Sequence, residues 1–93
     1  MVKAYQPMLE ELYAELIKLE TVEECESFLS DLCTMKELLS MGQRLKAAKM
    51  LLEGKTYNEV IEATDISSAT LARVSKCIRY GDGGYANIIK KEK

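Results

Sequence analysis

The sequence contains no histidine and no tryptophan, and it has only one proline, one phenylalanine and five glycines. Without histidine it lacks the commonest acid–base side chain and the commonest metal ligand, which weakens most enzyme readings. The three cysteines, Cys25, Cys33 and Cys77, are odd in number and show no CxxC spacing. That set, with no histidine, argues against a zinc site. The cysteines read as buried, reduced thiols of a cytoplasmic protein. Gly81-Asp82-Gly83-Gly84 lacks the Lys-Ser/Thr that completes a phosphate loop, so it reads as a turn. With no catalytic set in view, neither an enzyme nor a bound cofactor or metal is expected. No apolar run approaches the roughly 18 residues needed to span a bilayer. Met1-Val2-Lys3-Ala4 leads into charged residues rather than the apolar core of a signal peptide.

What the chain does have is a hydrophobic share of 47% in 93 residues, enough for one folded domain but only a modest core per copy. The charge is divided. Residues 1–40 carry three lysines against nine carboxylates, a net of −6, whereas residues 41–93 carry ten Lys/Arg against six Asp/Glu, a net of +4. A basic back half points to a polyanion as its partner, even though the whole chain has a net charge of −2.

Scarce breakers and helical spacing imply an all-α chain. Tyr5, Met8, Leu9, Leu12, Tyr13, Leu16 and Ile17 predict a helix from about residue 2 to 19, with Pro7 tolerated near its start. Thr21 and Glu24 form a capping-box pattern before Val22, Cys25, Phe28, Leu29 and Leu32. A second such pattern, Thr34 to Glu37, opens a long helix ending near Gly54, where a left-handed residue is expected. Gly42 lies inside that helix, where close packing against a neighbour would account for it. Thr56 and Glu59 open a short helix to about Ala63, and a turn at Thr64-Asp65-Ile66-Ser67 precedes a helix from about 68 to 80. The divisions are residues 1–33 for dimerisation helices, 34–54 for the long helix, 56–80 for a helix-turn-helix and 81–93 for a Gly-rich turn and basic tail, all within a single domain.

The stretch from Tyr57 to Lys76 carries the functional signal. A helix-turn-helix needs two short helices and a tight turn around a shared apolar cluster. Val60, Ile66, Leu71 and Val74 occupy its inward positions. Ser67, Ser68, Ala69, Ala72, Arg73 and Lys76 are left facing outward. Small residues at the start of the second helix allow close approach to a groove floor. Ser67, Ser68 and Thr70 can donate to phosphates or bases, directly or through water. Lys76 and Arg79 follow within reach of the backbone. Two positions depart from the usual pattern. Ile61 stands where a small residue is normal and suggests a wider crossing or a rotated helix, and Asp65 replaces the usual turn glycine while tolerating the left-handed conformation. An ordinary helical hairpin with a polar face would share this pattern.

Met41-Gly42-Gln43-Arg44-Leu45, Leu51-Leu52-Glu53-Gly54, Ser68-Ala69-Thr70-Leu71-Ala72-Arg73 and Tyr80-Gly81-Asp82-Gly83-Gly84-Tyr85 resemble the bacterial Trp repressor family, in particular its YerC/YecD-type branch. The resemblance implies a Trp repressor-like helical bundle and an intertwined homodimer built from the N-terminal helices, with self-packing within one subunit as the alternative. It implies two recognition helices reading a palindrome in major grooves about 34 Å apart. Tyr57, Asn58, Ser67, Ser68, Ala69, Thr70, Ala72, Arg73 and Lys76 would then meet DNA, with Lys46, Lys49 and Lys55 on phosphates. Asn58 stands where the family has a guanine-contacting arginine, and asparagine pairs best with adenine, so a different operator is expected. The family's indole ligand lies between two arginines, matched by Arg44 and Arg73, and Thr34 matches a further effector-site residue. Val74 replaces a glycine beside that slot, and Cys77 replaces the serine that holds the ligand's amino group. A branched side chain crowds the slot and a thiol is a poor partner for an ammonium, so tryptophan is not the expected effector. An unknown small molecule, or a surface role for the two arginines, stays open. The reading is therefore a cytoplasmic double-stranded DNA-binding regulator, a repressor in the simplest case. A helical protein-interaction module with residual nonspecific DNA affinity is the alternative.

Overall fold

The computed structural model describes residues 5–91. Among them it has six helices and no strand: α1 (Tyr5–Leu16), α2 (Val22–Leu32), α3 (Met35–Leu52), α4 (Tyr57–Thr64), α5 (Ser68–Tyr80) and α6 (Gly84–Ile89). The expected first helix included Val2 to Ala4, and the expected tail included Glu92 and Lys93; these lie outside the described residues. No described helix is long and apolar enough to cross a membrane. The chain divides into two compact units, one ending at Met35 and the other beginning at Lys36.

The first unit holds α1 and α2. α1 stops three residues earlier than expected because the backbone tightens: Lys18 N–H donates to the Glu15 carbonyl and Leu19 N–H to that of Leu16, both i→i−3 bonds. Thr21 caps α2 by accepting from Glu24 N–H at 3.0 Å. The reciprocal half of the expected box is displaced by one residue, since the Glu24 carboxylate accepts from Glu20 N–H at 2.8 Å rather than from Thr21. No residue of α1 or α2 is fully buried. Leu9, Leu12, Leu16, Cys25, Phe28 and Leu29 are half-buried, whereas Ile17 and Val22 are 84% and 78% exposed.

The second unit contains the core. Ala47 and Ala48 from α3 join Val60, Ile66, Leu71 and Val74 in one cluster, each at most 2% exposed. Ile61, Ile78, Tyr85 and Ile89 are partly buried against it. α6 thus docks its Tyr85 and Ile89 on the body of the unit, while Ile88 stays exposed. α3 ends in a Schellman motif: Lys55 N–H reaches the Met50 carbonyl and Gly54 N–H that of Leu51, with Gly54 at φ +89°. Thr56 and Glu59 form the full capping box of α4. After α5, Gly81 comes so close to the Cys77 carbonyl that a Cβ there would collide with it.

Gly42 has no close neighbour within its own chain, because a Cβ built there meets nothing within 4 Å. One expectation changes. The cysteines are free, but Cys77 is exposed and Cys25 and Cys33 are only half-buried. α5 turns Leu71, Val74 and Ser75 inward, which leaves position 77 off the buried stripe.

Leu71→Ala should cost about 2–5 kcal/mol, because it empties a site with no solvent exposure; denaturant unfolding followed by circular dichroism measures this. The Glu59 carboxyl is held below the ordinary carboxylate range, first by the Thr56 backbone N–H, then by the Thr56 side chain, with Lys55 adding attraction. A lowered folded-state pKa contributes stability above the unfolded value and loses it as pH falls through the folded one. Glu59→Gln should therefore lower the melting midpoint at neutral pH, and the gap from the unaltered protein should close in acid. Melting curves across pH 3 to 7 check the sign.

Candidate nucleic-acid interface and adjoining cavity

α4 and α5 form the expected helix-turn-helix. Asp65 takes the left-handed conformation at φ 60°, ψ 23°, and its N–H donates to the Ile61 carbonyl at 2.8 Å. An aspartate at this position tolerates that geometry better than most residues. Ile66 then drops into the core at 2% exposure, which fixes the turn from the inside. Ile61, in the position usually held by a small residue, is accommodated as a partly buried neighbour of the core.

The outward set is where the sequence puts it. Tyr57, Asn58, Ser67, Ser68, Ala69, Ala72, Arg73 and Lys76 are exposed, and Thr70 is half-buried. Ala69, Ala72, Arg73 and Lys76 recur at i, i+3, i+4 and i+7 and so share one face of α5. Ser67 also has a structural task. Its hydroxyl oxygen accepts from Thr70 N–H at 3.1 Å and donates to Thr70 Oγ1 at 2.9 Å. It is the N-cap of α5. Lys46, Lys49 and Lys55 are exposed on and just after α3. Lys46, Lys49, Arg73 and Lys76 form no ion pair among the described residues.

The turn is also tied from outside the motif. Gln43 Nε2, on α3, donates to the Thr64 carbonyl at 2.8 Å across 21 residues of sequence. Thr64 Oγ1 donates to the Val60 carbonyl at 2.7 Å and accepts from Ile66 N–H at 3.3 Å. Sequence reasoning passed over Gln43. It lies within a motif that resembles the family, but no spacing rule reports a partner so distant along the chain.

Arg44 and Arg73 come together. They line one cavity of about 300 Å³ with Ser40, Thr70, Val74, Cys77 and Tyr85. Arg44 Nη1 lies 3.4 Å from Ser40 Oγ, to which it donates. No carboxylate lines this cavity, whose wall holds two arginines and the hydroxyl-bearing residues Ser40, Thr70 and Tyr85. Val74 and Cys77 do line it, as the departures from the family pattern required. Thr34 does not. Ser40 and Tyr85 were missed, because nothing in their spacing marks them as lining residues. A second groove, about 420 Å³ and mainly apolar, lies between Leu45 and the α6 side chains Tyr85, Ile88 and Ile89. Cys77 and Tyr85 line both spaces.

Known proteins agree with this geometry. Residues 7–93 match the family model described as Trp repressor protein. The uncharacterized protein YerC of Bacillus subtilis (strain 168) is 40% identical over 85 residues, spanning 91% of this chain and 82% of YerC. The crystal structure of a TrpR-like protein from Eubacterium eligens ATCC 27750 superposes with a TM-score of 0.88 at 36% identity, covering 98% of both chains. A candidate Trp repressor from Staphylococcus aureus superposes at 0.86 and 35% identity, covering 96% of this chain and 92% of that one. The helix-turn-helix, the helical bundle around it and these matches lead to one assignment: the chain belongs to the Trp repressor family, a family of DNA-binding regulators.

Proposed function

We propose that the protein is a homodimeric, sequence-specific regulator of transcription that binds a palindromic double-stranded operator in the cytoplasm, in the simplest case as a repressor. One observation carries this reading. The four inward positions of the helix-turn-helix are at most 2% exposed, while its small and cationic residues face solvent. In this reading Ser68, Ala69, Thr70 and Ala72 approach the groove floor and Asn58 reads a base edge. Arg73, Lys76, Lys46, Lys49 and Lys55 hold phosphates, with Tyr57 beside the backbone, and Ser67 caps α5 at the edge of the contact.

The homodimer is supported by the first unit. Its helices bury no residue completely and leave Tyr5, Met8, Tyr13, Ile17 and Val22 largely exposed. So many exposed large apolar side chains on two short helices favour an association site there. A second copy also supplies the two-fold symmetry that a palindrome mirrors. The cavity at Arg44 and Arg73 suits a small anionic effector. Val74 and Cys77 on its wall make it a poor site for tryptophan, whose ammonium finds no carboxylate there.

Selection from a random duplex pool at about 150 mM salt should enrich a palindrome, equally with and without tryptophan. Failure to enrich any sequence would favour the helical protein-interaction module instead, and enrichment only with tryptophan would overturn the account of the cavity. Lys76→Ala should weaken binding alike for all sequences. It should also reduce the slope of log affinity against log salt by about 1 per subunit engaged, which a salt titration measures.

A further inference from the structure

Six side chains hold the turn of the helix-turn-helix from within, but apolar contact is not directional. Such contact fixes depth far better than it fixes rotation or sliding. The directional constraint comes from α3. Gln43 Nε2 holds the Thr64 carbonyl, one of the orphan acceptors at the end of α4, at 2.8 Å. Thr64 is a junction: its hydroxyl binds back to Val60 and forward to Ile66, the two core residues that flank the turn. Gln43 projects from the middle of an 18-residue helix whose far end is closed by its own capping motif, so it is a fixed reference point. The turn it holds leads directly into Ser67 and the exposed face of α5.

We propose that Gln43 is a positioning residue for DNA reading: its amide, by gripping the Thr64 carbonyl, sets the height and rotation at which α5 presents Ser68, Ala69 and Ala72. This rests on the operator-binding reading above. A displaced recognition helix loses base-edge contacts, whereas phosphate contacts from long, flexible lysines adapt. The clasp therefore acts on discrimination rather than on overall affinity.

Gln43→Met keeps the length and removes the donor; Gln43→Glu keeps the shape and turns an acceptor toward the carbonyl. Both should fold, with the melting midpoint lowered by less than about 10 °C. For both, the ratio of specific to nonspecific affinity should fall about 10-fold or more, while nonspecific affinity stays within about 2-fold. Leu51→Val, which trims a partly buried apolar side chain and leaves every hydrogen bond of the clasp in place, serves as a destabilised control and should leave the ratio unchanged. Amide exchange at Asp65 and Ile66 should quicken in both Gln43 variants but not in the control. An unchanged ratio overturns the proposal, and so does an equal fall in the control, which would assign the effect to stability. If the unaltered protein selects no sequence, the operator reading itself fails; the exchange rates then still report whether the clasp holds the turn.

Discussion

Ala47 and Ala48 are completely buried on α3, and their size sets how closely the rest of the second unit can approach that helix. Interaxial distance follows the side chains at the contact, so two methyl groups allow a near approach that larger residues would forbid. Val60, Ile66, Leu71 and Val74 close over them, one from α4, two from α5 and one from the turn between. α4 has eight residues, too few to be stable alone in water. It exists because Val60 is buried, because Thr56 and Glu59 satisfy its first donors, and because Asp65 and Gln43 satisfy acceptors at its end. Most outward residues of the motif have no such support and need none; Ser67, which caps α5, is the exception. Their position follows from what lies behind them.

Electrostatics reinforces this division of labour. The negative charge lies toward the front of the sequence, and the exposed cations Lys46, Lys49, Lys55, Arg73 and Lys76 lie on or beside α3 and α5. A net charge of −2 would then describe neither half of the chain. Fields at a surface depend on local arrangement, since screening cuts interactions beyond about 10 Å at ordinary ionic strength.

Periodicity and capping made most of this architecture legible in the sequence. The inward positions Val60, Ile66, Leu71 and Val74 follow from 3.6-residue spacing, and Thr56–Glu59 and Gly54 follow from local hydrogen-bond chemistry that acts within a few residues. What escaped depends on partners distant in sequence or on three-dimensional geometry. Gln43 bonds a carbonyl 21 residues away. The capping of α5 by Ser67 shows only in the structure. Cys77 looked like a buried thiol because cysteine usually is, yet the stripe defined by Leu71 and Val74 leaves it outside. In the candidate cavity, Arg44, Arg73 and Cys77 were legible through resemblance, and Ser40 and Tyr85 only through geometry.

That cavity and the outer face of α5 share a residue. Arg73 lies on the stripe with Ala69, Ala72 and Lys76, and it also lines the cavity with Arg44. Two guanidiniums facing one space without a carboxylate repel each other, and an anion between them relieves the repulsion. An anion in the cavity and a phosphate on the outer face would draw on the same side chain. Two ligands that share a group cannot bind independently, and by linkage each changes the other's affinity by the same factor. The sign depends on whether the cavity anion orders Arg73 for the phosphate or withdraws it. Cys77 and Tyr85 extend the same argument to the apolar groove beside α6, since both line the two spaces at once. Any occupant of one space that moves either side chain would therefore reshape the other.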